Sequence, residues 1–215
     1  MTEPIRPTPN RHVPDAILAA YAAGTLAYPF AVLVATHVTL CDDCQARLDA
    51  QHVVAGLVLD DLAPVPLGED AGERLLARLD APLPPTEESV DPAYPLPLAE
   101  VIGARAPRWR SLGFGARQAI LWTGGAGSIR LLSIPAGQAV PEHGHRGLEL
   151  TLVLSGAFAD DTGLYAAGDL EVADQDLGHT PRATTDGLCL CVAATDAPLR
   201  FHALLPRLLQ PLFRI

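Results

Sequence analysis

Residues 137–156 read GQAVPEHGHRGLELTLVLSG, and this stretch decides the fold of the C-terminal half. It has the form G-x5-H-x-H-x3-E-x6-G, with His143, His145 and Glu149 at the marked positions. Alternate residues of a strand share one face, so both imidazoles are predicted to face the same side, and Glu149 on the next strand can reach the same centre. The pattern therefore indicates a metal site held by strands.

Short apolar runs surround this stretch and are separated by Gly, Pro and Asp clusters. Such runs predict β-strands, and short strands at regular spacing are typical of a sandwich or barrel. The runs lie at residues 119–122, 129–134, 148–154, 164–172 and 188–192. Residues 98–215 are therefore predicted to form an all-β unit.

The quoted stretch matches the first cupin motif at every position, both glycines included, and so resembles the cupins. The resemblance implies a small jelly-roll barrel with a metal held inside its mouth. The second cupin motif departs from the pattern, because Gly168-Asp169 is present but Glu171 stands where the His is expected. His179, just before Pro181, is our favoured fourth ligand, and Glu171 is the alternative.

The ligand set does not select one metal. Three His and one carboxylate suit zinc, manganese, iron or nickel, and we take Zn²⁺ as the first choice over another divalent metal. His52 and His202 have no partner at ligand spacing and are predicted to be ordinary histidines.

Two thiols, Cys189 and Cys191, alternate along one predicted strand and therefore face one side of it. If that side is the barrel interior, they approach the metal. Positions i and i+2 of a strand are too far apart for an easy disulfide. The other interpretation makes them small apolar core residues, and the sequence leaves both open.

Residues 1–10 hold three prolines and predict a loose arm, and helical spacing follows from there to residue 85. A first helix is predicted to start near Pro14, with a break from Gly24 to Pro29, and a second to run from Pro29 into the forties. Further helical spacing appears at residues 53–62 and 73–79. This unit is predicted to be an all-α bundle.

The second helix carries His37-Val-Thr-Leu-Cys41-Asp-Asp-Cys44, of the form H-x3-C-x2-C. On a helix, positions i, i+4 and i+7 share a face, so the imidazole and both sulfurs are predicted to converge. Thiolate and imidazole ligands favour Zn²⁺, and a structural zinc site has four ligands. His12, just ahead of the first helix, is the candidate for the fourth.

Residues 81–97 contain six prolines with acidic residues between them, which is too many for a helix or a central strand. They predict a semi-rigid linker that keeps the two units mechanically distinct. The predicted organisation is an α+β multidomain chain: a helical zinc unit at 1–85, a linker at 86–97 and the barrel at 98–215.

The net charge of the chain argues against a nucleic-acid-binding protein. The formal net charge is −10, and clustered cations are what nucleic-acid binding requires. Residues 1–97 carry five Arg against fourteen Asp and Glu, while residues 98–215 carry ten against eleven. The acidic first half suits a basic partner, and the alternative interpretation is an ordinary solvated acidic face.

Four cysteines without a signal sequence indicate a reducing compartment, and we expect the cytoplasm. Residues 16–41 carry no formal charge and are long enough for a membrane span. Their Gly24, Thr25, Pro29 and His37 favour two helices instead, so no membrane segment is expected.

The H-x3-C-x2-C helix with an upstream His resembles the zinc-containing anti-sigma domain family. Followed by a Pro-rich linker and a cupin, it resembles the ChrR-type anti-sigma factors over nearly the whole chain. The resemblance implies that the first unit binds an extracytoplasmic-function sigma factor. It also implies that the cupin releases that factor on an oxidative signal such as singlet oxygen.

Two rival functions use the same cupin ligands. A metal-dependent enzyme of the dioxygenase or isomerase type would keep an open metal position, and a small-molecule-binding regulator would use the barrel as a receptor. The fused zinc anti-sigma domain speaks against an enzyme, because metabolic chemistry has no need of it.

Overall fold

The N-terminal part of the chain is helical and the C-terminal part is built from strands in the computed structural model, which describes residues 8–79, 82, 91–198 and 200–201. The helices are α1 (Asp15–Ala22), α2 (Tyr28–Val38), α3 (Asp42–Asp60), α4 (Ala71–Leu79) and α5 (Leu96–Ile102). The strands are β1 (Arg110–Gly113), β2 (Ala116–Gly124), β3 (Gly127–Ile134), β4 (His143–Gly144), β5 (Glu149–Ser155), β6 (Ala157–Asp160), β7 (Gly163–Ala166), β8 (Leu170–Ala173), β9 (Gly178–His179), β10 (Arg182–Ala183), β11 (Cys189–Thr195) and β12 (Arg200–Phe201). This order confirms the predicted fold class.

The first two helices are separated where the sequence predicts a break. Gly24 has φ +67°, a left-handed conformation that ends a helix at low cost in glycine. Pro29 then lies in the first turn of α2, where a missing N–H loses no hydrogen bond.

The prediction that α2 continues into the forties is wrong. α2 ends at Val38, and Cys41 is an extended residue with φ −125° that caps α3. The Thr39 hydroxyl donates to the Thr36 carbonyl at 2.7 Å, and the Cys41 sulfur accepts from the Cys44 N–H at 3.4 Å. These local bonds replace the helical pattern. α3 then runs unbroken through the separate helix that was predicted to begin at residue 53.

α5 occupies part of the predicted linker, and the expected boundary at residue 97 falls inside this helix. Pro95 is its N-cap and Pro97 lies in its first turn, both positions that tolerate proline. Leu98 and Ala99 are buried. Residues 80–81 and 83–90 of the same stretch lie outside the described residues.

The strands form one large sheet and two small ones, and every pairing is antiparallel. The large sheet has the order β1-β2-β3-β11-β5-β8, and the small ones have the orders β10-β6-β7 and β12-β4-β9. The predicted strand at 164–172 is two strands, β7 and β8. Gly168, with φ +90°, turns the chain between them. The sheets enclose a cavity of about 750 Å³.

The two faces of the large sheet have different surroundings, because strand residues alternate. Leu150, Leu152 and Val192 on one face pack in the core that also holds the helices. Thr151 and Cys191 on the other face line the cavity. Only the backbone of the large sheet therefore separates the helices from the cavity.

The helical part packs directly on the strands, so the expected mechanical separation of the two units is wrong. α2 contacts β11, β5 and β3, and also α5. Leu18 and Leu33 of the helices belong to one apolar core with Leu131 and Leu150 of the sheet. The apolar face of α2 packs against the barrel. The helical pattern predicts that this face is buried, but it does not say which element covers it.

None of the helices within the described ranges has both the length and the apolar character that a bilayer span requires.

Candidate metal centres

Four side chains from the helical part meet at one point, which we call the first centre. One ligand atom from each of His12, His37, Cys41 and Cys44 lies within 4.8 Å of all the others. His12 Nδ1 lies 3.2 Å from Cys41 Sγ, and His37 Nε2 lies 3.3 Å from Cys44 Sγ. The set is the one expected from sequence, although it is assembled differently.

Three elements rather than one helix assemble the first centre. His37 lies in the last turn of α2, Cys41 caps α3 and Cys44 lies in the first turn of α3. His12 precedes α1, which contacts α3. The turn between α2 and α3, rather than the periodicity of a single helix, therefore brings His37, Cys41 and Cys44 together.

The electrostatics of the first centre suit a bound cation. Burial lowers the pKa of His37 to about 4, so its imidazole is neutral and able to coordinate. Burial raises the pKa of Cys44 to about 11, and the neighbouring Cys41 adds to this. A divalent cation would reverse the effect on the thiols, since it stabilises thiolate. Two sulfurs and two imidazoles fit Zn²⁺.

A second group of four meets inside the barrel, and we call it the second centre. It consists of His143, His145, Glu149 and His179, all buried and with ligand atoms within 4.8 Å of one another. The Nε2 atom of His179 lies 3.2 Å from that of His143 and 3.3 Å from that of His145. Ligands at 2.0–2.1 Å from a tetrahedral zinc are roughly 3.3 Å apart, so the spacing fits a metal.

Strand pairing brings these residues together. His143 on β4 pairs directly with His179 on β9, and Glu149 begins β5. His145 follows β4 and its Nδ1 lies 3.6 Å from a Glu149 oxygen. His143, His145 and Glu149 therefore lie in one cluster, as the sequence predicts.

Glu171, the alternative fourth ligand, lies behind His179 on the side away from the other histidines, where Asp160, Glu171 and His179 form a further group. His179 Nδ1 is 3.2 Å from Glu171 Oε1 and 2.8 Å from Asp160 Oδ2, while its Nε2 faces the other histidines. Carboxylates in this position fix the tautomer of a ligating histidine. Asp160 was missed, since the end of a hairpin between β6 and β7 carries no local signal for it.

Burial also shifts the titration of the second centre. It lowers the pKa of His143 and of His145 to about 4 and raises the pKa of Glu149 to about 7. Burial alone would raise the pKa of Asp160, but hydrogen bonds with Thr162 and His179 outweigh it and lower that pKa to about 2. The Asp160 carboxyl group is therefore anionic, and it accepts the Nδ1 proton of His179.

Both barrel thiols are buried and neither is in a disulfide. Cys191 lines the cavity together with His143 and Glu149. Cys189 packs in a small apolar cluster with Val153 and other side chains. A hydrogen bond with Cys189, together with burial, raises the pKa of Cys191, which keeps it a thiol at neutral pH.

The remaining two histidines fall outside the centres. His52 is exposed on α3, as predicted for an ordinary histidine. His202 lies outside the described residues.

Comparison with known proteins identifies the family. A family described as the ChrR Cupin-like domain matches residues 99–197. The chain is 55% identical over 212 residues to the anti-sigma-E factor ChrR of Cereibacter sphaeroides, which covers 97% of this chain and 100% of that protein. It also resembles ChrR in the crystal structure of the Rhodobacter sphaeroides SigE complex, with 53% identity, a TM-score of 0.79, and coverage of 88% of this chain and 100% of that one. The chain therefore belongs to the ChrR family of anti-sigma factors.

Proposed function

We propose that this chain is a cytoplasmic anti-sigma factor that sequesters an extracytoplasmic-function sigma factor and acts by binding rather than by catalysis. Its relative ChrR is named an anti-sigma-E factor, and ChrR has been crystallised with SigE. The surface of α3 and α4 supports the same role here.

The apolar face of α4 carries the proposal. No α4 side chain is buried, and Leu75, Leu76 and Leu79 are 63%, 63% and 74% exposed. Residues three and four positions apart share one helix face, so these leucines form a single stripe. An amphipathic helix with its apolar face in solvent is typical of a partner-binding element.

The C-terminal half of α3 extends this surface. Val54, Leu57 and Val58 are 58%, 66% and 62% exposed on adjacent turns. Leu62, Val65 and Leu67 continue the exposed apolar run into the loop toward α4. Isolated apolar residues on a surface are ordinary, but a run over two helices indicates an interface.

The charge around this surface favours a basic partner. Residues 54–79 carry five acidic residues against two arginines, and Arg74 pairs with Asp70 at 3.2 Å, which leaves an excess of acidic groups: Asp60, Asp61, Glu69, Asp70 and Glu73 against Arg74 and Arg78. A protein that binds DNA presents basic surfaces. Acidic residues around an apolar stripe therefore complement a sigma factor and would speed its capture.

Zn²⁺ at the first centre would tie the start of α3 to α1 and α2. Structural zinc supplies folding free energy to small helical units. The metal would be held by His12, His37, Cys41 and Cys44. It would fix the position of the first turn of α3, and so the direction of the exposed C-terminal half of that helix. Inhibition should consequently depend on this metal.

We assign sigma binding to residues 1–85 and signal perception to the barrel at 98–215, joined through residues 86–97. The second centre, His143, His145, Glu149 and His179, would hold Zn²⁺ or another divalent metal. Oxidation at these ligands or at Cys191 by singlet oxygen or a related species would alter the barrel and release the sigma factor.

The cavity favours a second candidate function. Its volume of about 750 Å³ is large enough for a small molecule, and it reaches His143 and Glu149. A small-molecule-binding regulator or a metal-dependent enzyme would use this space. Either would show saturable binding or turnover in the absence of a sigma factor.

Co-purification with candidate sigma factors tests the proposal. The wild-type chain should hold one of them as a stable complex. Leu57→Asp combined with Leu76→Asp should weaken that complex at least tenfold, since a charge inside an interface costs on the order of 2 kcal/mol.

Leu164→Asp is the matched control, because Leu164 is 56% exposed and lies on β7 of the barrel rather than on α3 or α4. It should leave the complex unchanged. Failure to retain any sigma factor, or equal binding by all three proteins, would refute the proposal.

A further inference from the structure

A buried carboxylate joins the arm before α1 to the barrel. Asp169 is 3% exposed, and its Oδ1 accepts hydrogen bonds from the backbone N–H groups of Asn10 at 2.6 Å and Arg11 at 2.9 Å. Its Oδ2 accepts from the Ala166 N–H at 2.8 Å, within the turn that precedes β8. The Leu170 N–H donates to the Arg11 carbonyl at 3.1 Å. We call these contacts the Asp169 joint.

One side of the joint leads to the first centre. His12 directly follows Arg11 and lies 3.2 Å from the Cys41 sulfur through Nδ1. His12 is therefore one residue from the joint.

The other side leads to the second centre along β8. Glu171 is two residues after Asp169, and its Oε1 lies 3.2 Å from His179 Nδ1. A shift at the beginning of β8 therefore moves both Asp169 and the carboxylate behind a candidate metal ligand.

A second route runs through the β6–β7 hairpin. The Arg11 guanidinium lies 5.4 Å from the centre of the Tyr165 ring. The Tyr165 hydroxyl is 2.8 Å from the Thr162 hydroxyl, which donates to Asp160 at 2.6 Å. Asp160 in turn lies 2.8 Å from His179 Nδ1.

We infer that Asp169 is a positioning residue that couples the two centres, so that a change at the second centre alters how His12 is held at the first. Charge-assisted hydrogen bonds to backbone N–H groups are strong and directional, and a packed interior leaves little slack to absorb a displacement. The inference adds to the proposed function a route by which release would be transmitted, and it rests on that function only for its consequence in the sigma complex.

Amide hydrogen exchange on the full, zinc-loaded chain without a sigma factor tests the coupling itself. The amides of Asn10 and Arg11 should exchange about tenfold faster in His143→Ala/His145→Ala than in wild type, because their acceptor is no longer held in place. The Thr25 amide, which donates to Ala20 in a turn away from the joint, should not change. Glu149→Gln repeats the test with a milder change if the double variant loosens the whole barrel.

Asp169→Ala separates the joint from general destabilisation. In this variant the Asn10 and Arg11 amides should exchange rapidly whether or not the second centre is intact. Asp196→Asn is the control, since Asp196 also accepts a backbone N–H in the barrel, from Leu148, but does not touch the arm. Exchange at Asn10 and Arg11 that is unaffected by loss of the second centre would overturn the inference.

The sigma complex supplies the second readout. As a fraction of the complex each variant forms, Asp169→Ala should release at least several-fold less sigma factor under singlet oxygen than wild type does, while Asp196→Asn releases it normally. Wild-type release by Asp169→Ala would contradict the coupling. Because the exchange experiment needs no sigma factor, a chain that binds none refutes the proposed function without touching the coupling result.

Discussion

Cys41 has two roles at the first centre. Its sulfur is a candidate ligand 3.2 Å from His12 Nδ1, and it also accepts the Cys44 N–H that starts α3. A residue that caps a helix and binds a metal links metal loss directly to helix fraying.

Substitution of Cys41 by Ala or of His37 by Ala should therefore lower the bound zinc by about one equivalent, because three ligands hold a structural metal poorly. Helical circular dichroism should fall with it. His52→Ala, an exposed histidine on α3, is the control and should keep its metal. An unchanged zinc content with intact helices would remove the first centre from the account.

The burial of His37 predicts a pH dependence in the metal-free chain. Its pKa is lowered from 6.5 to about 4 by burial, so between these values the unfolded chain binds a proton that the folded chain does not. The free energy of unfolding should then fall as the pH drops from 6.5 toward 4. Urea titrations should show a shallower fall in His37→Gln, and equal slopes would contradict the prediction.

Asp160 gives a test of the second centre that spares its ligands. Asp160→Asn removes the anion that holds His179 Nδ1 at 2.8 Å, and loss of such a partner weakens metal binding about 10–100-fold. Competition with a chelator would measure this. Asp161→Asn, the exposed neighbour, is the control, and equal affinity in both variants would exclude the positioning role of Asp160.

At the scale of elements, the turn between α2 and α3 shows what sequence can predict. The spacing of His37, Cys41 and Cys44 identified the cluster, because residue type and separation limit which side chains can meet. It did not identify the break, because hydrogen bonds from Thr39 and to Cys41 compete with the helix and leave the apolar stripe unaltered. The grouping of these side chains was predictable, and the backbone geometry that brings them together was not.

The exposed half of α3 and all of α4 lie away from the barrel, whereas α2 packs on it. A fragment of residues 1–85 should therefore bind the sigma factor through α3 and α4. It should also unfold at a lower temperature than the full chain, since Leu33 and Val34 lose their cover. Pull-down and thermal unfolding would measure both, and a zinc-loaded, folded fragment without sigma binding would refute the assignment of that role to 1–85.

At the scale of the whole molecule, one apolar core connects the helices with the large sheet. The same strands expose Leu150 and Leu152 to the helices and Glu149 and Thr151 to the cavity. The second centre is thus separated from α2 by only the backbone of the large sheet. Sequence patterns predicted the strands and the side chains that cluster at each centre. The docking of α2 and the position of the Asp160 carboxylate depend on contacts between distant residues that no local pattern encodes.

The central claim is that the chain holds a sigma factor through its helices and releases it through the barrel. The most direct measurement is sigma-dependent transcription with and without singlet oxygen, for wild type and for His143→Ala/His145→Ala. The account predicts low transcription in both proteins before exposure and a rise in wild type alone afterwards. A normal induced response in the variant would contradict it.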